Sequence, residues 1–178
     1  MKVKTFIPIL FSVSIVIVAQ LSAYGKSKEV PYLRDGVSFS IAEGWKVIAN
    51  DSIADGAYYF SAERTGTKTT GLITVTWANK EEDPDKAILA HQKSMKNSNI
   101  YRNPGIEFTM IVSDKLGGHD VRRCEYTTIA KGIKLEGIVY CFSCSGKTIV
   151  VFFQTGIDDH NKNQKGFGLF QKTFNCRE

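Results

Sequence analysis

Four cysteines, three histidines and a handful of strand-borne carboxylates are the residues of this 178-residue chain that could do chemistry. Cys141-Phe142-Ser143-Cys144 has CxxC spacing. A redox pair wants its first thiol exposed at a helix N-terminus, where the dipole lowers its pKa. Here the spacing falls inside a Val-, Ile-, Phe- and Tyr-rich run that reads as a strand, so the two side chains point to opposite faces. A zinc site would need a second CxxC or a paired histidine, and none follows. His119-Asp120 and Asp158-Asp159-His160 are the candidate metal ligands, with His119, Asp120 and His160 as the set. Each lies in a polar turn, where such residues are ordinary. The sequence does not bring the two turns together. His91 falls in a predicted helix and reads as a packed residue. Glu43, Glu63, Glu107, Glu125 and Glu136 lie on or beside strands, and any two could face each other across a cleft. No Gly-x-Ser-x-Gly elbow and no glycine-rich phosphate loop is present. No catalytic residue is assigned and no cofactor is expected.

The elements that must position these residues centre on 121 to 155, which reads as three consecutive strands. Lys131-Gly132 and Ser145-Gly146 are the turns between them. With the second turn at Ser145-Gly146, one face carries Ile138, Tyr140, Phe142, Ile149, Val151 and Phe153. The other carries Val139, Cys141, Val150 and Phe152. Both faces are apolar, so both must be covered; a sheet with one wet face alternates more cleanly.

Residues 1–25 read as a secretory signal peptide. Lys2 and Lys4 precede an apolar run, and Ala23-Tyr24-Gly25 offers small flanking residues. The run is short against the roughly 20 residues of a membrane span, so cleavage is expected, with no stable membrane insertion afterwards. Tyr24 stands where a lipoprotein would carry its acylated cysteine. Without Lys2 and Lys4, 21 of the 23 basic residues face 18 acidic ones, a mild net charge of +3. The basic residues are scattered, so nucleic acid is not an expected partner. An exported chain is expected to be secreted or periplasmic. Its even number of cysteines then suggests disulfides. A four-residue loop, Lys131 to Lys134, would place Cys124 opposite Cys141; a two-residue loop would place it opposite Val139 instead. The first register predicts Cys124–Cys141, and a helix returning from the third strand predicts Cys144–Cys176.

Along the rest of the chain, 26–35 reads as an extended polar leader and 36–178 as a single domain. Val37, Phe39 and Ile41 alternate with serines in a first strand, and Glu43-Gly44-Trp45 turns into a second that ends near Ala49. Asn50 to Gly56 reads as a loop, followed by strands at Ala57–Glu63 and Gly71–Trp77. Asp83 is placed to cap a helix with Pro84 at its first position. Ile106, Phe108, Met110 and Val112 alternate as one strand. Asp158 and Asp159 are placed to cap a last helix whose buried stripe is Phe167, Phe170 and Phe174. Trp45, Tyr58 and Tyr59 form a candidate protein-binding surface, since Tyr58-Tyr59 puts one ring on each face of its strand.

The order of these elements resembles the PsbP-like family. The matching residues are Val37 to Trp45 (VSFSIAEGW), Gly117 to Tyr126 (GGHDVRRCEY) and the Phe167-to-Phe174 helix. The resemblance covers about 36 to 176. That superfamily includes the extrinsic oxygen-evolving subunit of photosystem II, a Ran-binding nuclear import factor and many exported bacterial proteins. It implies an α+β fold: an α/β/α sandwich with a mostly antiparallel central sheet. It implies no catalytic residue, because the family is mostly non-enzymatic. Many bacterial members look like lipoproteins, from which Tyr24 departs, and the cysteines lie outside the family pattern. The combined expectation is an exported non-catalytic protein, a binding or accessory module of the cell envelope whose partner is another exported or envelope protein. The alternative is a small metal-binding protein or metal-dependent enzyme using the His119 and His160 turns.

Overall fold

The computed structural model describes residues 29–66, 69–101 and 105–177. The predicted signal peptide, residues 1–25, lies outside them. An antiparallel eight-stranded sheet runs in the order β3 (Trp45–Ala54), β4 (Ala57–Arg64), β5 (Leu72–Ala78), β10 (Lys147–Gly156), β9 (Ile133–Cys144), β8 (His119–Ala130) and β6 (Ile106–Phe108). Strand β7 (Val112–Leu116) continues the β6 edge by pairing with the first half of β8. A small second sheet holds β1 (Val30–Arg34), β2 (Val37–Ile41) and β11 (Asn175–Cys176). Helix α1 (Pro84–Asn97) covers one face of the large sheet; α2 (His160–Thr173) and the small sheet cover the other.

Local chemistry accounts for these elements. Asp83 accepts the Lys86 N–H at 2.9 Å, Pro84 takes the first helical position, and Asp85 and Lys96 suit the two ends of the dipole in α1. Ser145-Gly146 and Lys131-Gly132 both take positive φ, the signature of two-residue type I′ hairpins, whose twist matches that of the strands. The Ser145-Gly146 turn pairs Phe142 with Ile149 and Tyr140 with Val151. The meander's two faces are therefore the expected ones. Tyr140, Phe142, Ile149, Val151 and Phe153 join the core under α2, and Val139, Cys141 and Phe152 join the core under α1.

The Lys131-Gly132 turn corrects the expected Cys124–Cys141 bridge. Because it is two residues long, Ala130 pairs with Ile133, Cys124 faces Val139 and Cys141 faces Arg122. The two cysteines share a face but stand diagonally, about 7–8 Å apart, beyond disulfide reach. Both are buried free thiols. Burial pushes Cys141 up to about 12 and raises Cys124 as well, so neither is a thiolate near neutral pH. Cys144 and Cys176 are bonded, closing a separation of 32 residues and tying the small sheet to the end of β9.

Several boundaries also differ from the sequence reading. Residues 30–34, expected as leader, form β1, which pairs with β2 through an Asp35-Gly36 turn. Strand β3 continues through the expected 50–56 loop to Ala54, its polarity reflecting an edge position that faces water. The 106–112 strand is broken at Thr109–Ile111 into β6 and β7. Asp158 and Asp159 do not cap α2 with a side-chain bond. They form a 3₁₀ turn instead, and Asp159 takes the Thr70 hydroxyl at 3.0 Å and Lys162 at 2.6 Å.

Candidate functional site

The α2 face is covered unevenly. Below β1 and β2, Tyr32, Phe39, Phe60, Phe170 and Phe174 pack ring on ring, with centroids 4.6 to 6.3 Å apart. Toward β8 the small sheet ends, and α2 alone overhangs β9 and β10. The space left between α2, β9, β8 and β6 is a groove of about 360 Å³, within the lower range of small-molecule sites.

Its floor is apolar. Ile138 of β9, Phe153 of β10 and Phe167 of α2 line it, and the Phe153 and Phe167 rings stack at 4.8 Å. Gly137 gives the floor its shape. A Cβ there would meet the Phe153 carbonyl oxygen at 2.0 Å and the Tyr126 ring at 2.6 Å, so only glycine lets Tyr126 lie against β9 from the α1 side. Tyr126 is fully buried, stacks on Phe152 at 5.4 Å and shares Gln154 Oε1 with the Tyr101 hydroxyl. Burial raises the Tyr126 hydroxyl well above the ordinary tyrosine range, so it remains a donor.

The rim is polar and mostly acidic. Glu107 of β6, Glu125 of β8 and Glu136 of β9 stand on the groove side of neighbouring strands, since Glu107 and Glu136 both pair with Thr127 while Glu125 pairs with Ile138. His160, the first residue of α2, bonds Glu136 through Nδ1, and its Nε2 lies 2.7 Å from the Gln164 amide nitrogen. Both ring nitrogens thus have a side-chain partner within hydrogen-bond reach. Two turns beyond Gln164, the Gln171 amide donates to the Tyr140 hydroxyl at 3.0 Å. Thr155 receives the buried Asn163 amide at 2.7 Å and donates to the Gly156 carbonyl. No Ser, Cys or Lys side chain is among the residues lining the groove. With both His160 nitrogens engaged, the arrangement holds a polar rim between α2 and β9.

The candidate metal set does not assemble. Asp120 is exposed and paired with Lys115 at 2.6 Å. His119 lies over the Phe142 ring, centroids 5.3 Å apart, and its Nε2 accepts the Cys176 N–H at 3.4 Å. His160 sits at the level of Glu136 and hence of Thr127, eight residues along β8 from His119. That separation is about 26 Å at strand rise. Among the described residues, no three His, Cys, Asp or Glu side chains form a metal-holding group. The three residues of the candidate aromatic surface are all partly buried. Trp45 packs on Phe167 at 5.6 Å, and Tyr58 stacks on Trp77 at 5.5 Å with the Arg34 guanidinium 4.1 Å above it. Tyr59, opposite Asp51 and Thr76, is on the other face. These rings complete the packing of the sheet and do not converge on one patch.

Of the residues singled out in sequence, His160, Glu107, Glu125 and Glu136 do come together. Gln164, Gln171, Phe153, Ile138 and Gly137 complete the groove. The signal for the glutamines was their spacing, since Gln164, Phe167 and Gln171 recur at helical intervals with His160.

No family model matches the chain, and no curated protein matches it by sequence. Solved structures do match. The cyanobacterial PsbP of Synechocystis aligns with a TM-score of 0.62 over 90% of this chain and 99% of its own, at 12% identity. LpqN of Mycobacterium tuberculosis, involved in cell envelope biogenesis, aligns at 0.54 over 86% and 92%, with 13% identity. A Pseudomonas aeruginosa protein of unknown function aligns at 0.50 over 84% and 98%, also at 13% identity. At these identities the likeness is one of fold, and the chain has the α+β PsbP-like fold. Among the described residues no helix is long and apolar enough to cross a membrane.

Proposed function

We propose that the protein is an exported, non-catalytic binding or accessory module of the cell envelope, and that the groove beneath α2 is where it binds. The observation that carries this reading is the groove itself: an apolar floor of Ile138, Phe153 and Phe167 under a polar rim whose His160 is fully engaged. A site of that kind holds and orients a molecule. Three further observations support export and an envelope role. Residues 1–25 have the three regions of a signal peptide. Cys144–Cys176 belongs to the class of bond that persists in oxidising compartments. The fold is shared with LpqN, a protein of envelope biogenesis.

The test is a native intact mass of the protein purified without reductant from its own exported fraction. The expected species lacks residues 1–25 and two hydrogens, for one disulfide. It also carries a small-molecule adduct that gentle activation removes. A species that retains residues 1–25 would overturn cleavage and make this a tethered domain. Loss of four hydrogens would mean that Cys124 and Cys141 are bonded after all.

A further inference from the structure

We propose that the groove selects organic cations: molecules with a protonated amine attached to an apolar body. The inference rests on the binding reading above and names the ligand class of that same site. The chain as a whole is basic, with a net charge of +5. The groove reverses that sign. Glu107, Glu125 and Glu136 stand along its rim. Arg123, on β8 beside Glu125, is already held between Asp114 at 2.9 Å and Glu125 at 2.6 Å. Four carboxylates thus face one guanidinium, and among the described residues Glu107 makes no salt bridge. An ammonium entering the groove would meet carboxylates on three neighbouring strands over a low-dielectric floor, where charge-assisted hydrogen bonds are strongest. A carboxylate or phosphate would meet the same three carboxylates, with the Arg123 guanidinium already paired to Asp114 and Glu125.

The apolar body has a path as well. A shallower hollow of about 430 Å³ shares Glu107 and Thr127 with the groove and runs toward the β8–β9 hairpin, where Ile129 and Ile157 line it. Both isoleucines are exposed large apolar side chains. An amine seated among the three glutamates could therefore lay an alkyl or aryl tail over Ile138 and Phe153 or out along Ile129 and Ile157. Lys134, the basic residue lining the hollow, lies two residues from Glu136 on the same face of β9, on the hairpin side of the rim.

The test is an amide NMR titration of the disulfide-bonded protein with three eight-carbon probes: octylamine, octan-1-ol and octanoate, each below its aggregation limit. Octylamine is expected to saturate and shift the Gly137, Ile138 and Gln164 signals, binding at least tenfold tighter than octanoate. The double variant Glu107→Gln, Glu125→Gln, checked for an unchanged amide spectrum elsewhere, should bring octylamine down to the affinity of octan-1-ol. If octan-1-ol or octanoate fills the groove as tightly as octylamine, the cation preference is overturned while the binding reading stands. If no probe shifts the groove signals, both fall together.

Discussion

The two ends of the α2 face are built from the same sheet and the same helix, and they have opposite fates. At the β2 end, Phe39 and Phe170 meet at 4.7 Å, β1 and β2 close over them, and Cys144–Cys176 fastens the lid to β9. At the β8 end, no lid covers the groove among the described residues. Ile138 and Phe153 reach a groove ringed by Glu107, Glu125, Glu136 and His160. The first end repays the conformational entropy of folding by burying rings. The second gives up burial and keeps a surface a ligand can reach.

That contrast can be broken most severely at the sealed end. Phe39→Ala removes a ring that is 2% exposed and touches Tyr32, Phe60 and Phe170. It should cost about 3–5 kcal/mol in urea unfolding. A loss under about 1 kcal/mol would mean that the small sheet is a loose flap and the two ends are alike. The next effect belongs to the lid's fastening. Cys144→Ser with Cys176→Ser should cost about 2–4 kcal/mol, mainly through the unfolded chain, and leave probe binding at the groove unchanged.

A smaller effect separates the other face of the sheet. His91 on α1 packs against Phe152 with its Nε2 unpartnered, and burial lowers its pKa. Below the unfolded histidine value of about 6.5 the unfolded chain therefore binds more protons than the native one. Stability should be complete above that pH and decline as pH falls through 6.5 toward the native value, by at most about 1.4 kcal/mol per pH unit. Urea midpoints at pH 7.5 and 5.5 measure it, and His91→Leu should flatten the difference. Asp159, lowered chiefly by its bond to Lys162, acts in the same direction at more acidic pH, below the carboxylate range. The smallest stability effect is expected at the open end. Glu107→Gln with Glu125→Gln should change unfolding free energy by no more than about 0.5 kcal/mol, while changing ligand affinity. A large stability loss there would mean the carboxylates hold the fold together.

Much of the scaffold was legible because periodicity reports burial. The β9–β10 alternation assigned each of its residues to the correct face, and Asp83-Pro84 announced α1. What was missed depended on one-residue choices. Cys124–Cys141 failed because Lys131 takes positive φ along with Gly132, giving a two-residue turn where a four-residue loop also fitted. Strand β1 was read as leader because Pro31 and a polar composition hide an edge strand, although Asp35-Gly36 was a hairpin signal. The site was half visible. Glu107, Glu125 and Glu136 could be noted on strands, but only the pairing of β6, β8 and β9 lines them up. His160 was paired with the wrong end of the molecule because sequence distance carries no information about which turns meet.

The central claim is that the open end of the α2 face is the binding site. Its most direct test is an amide-shift fragment screen of the disulfide-bonded protein with a library spanning cations, anions and neutral molecules. The account predicts hits that converge on Gly137, Ile138, Phe153 and Gln164, with cations enriched among them and the β1–β2–β11 signals unmoved. Hits that scatter over the surface, or gather along the exposed β3 edge while the groove stays silent, would contradict it.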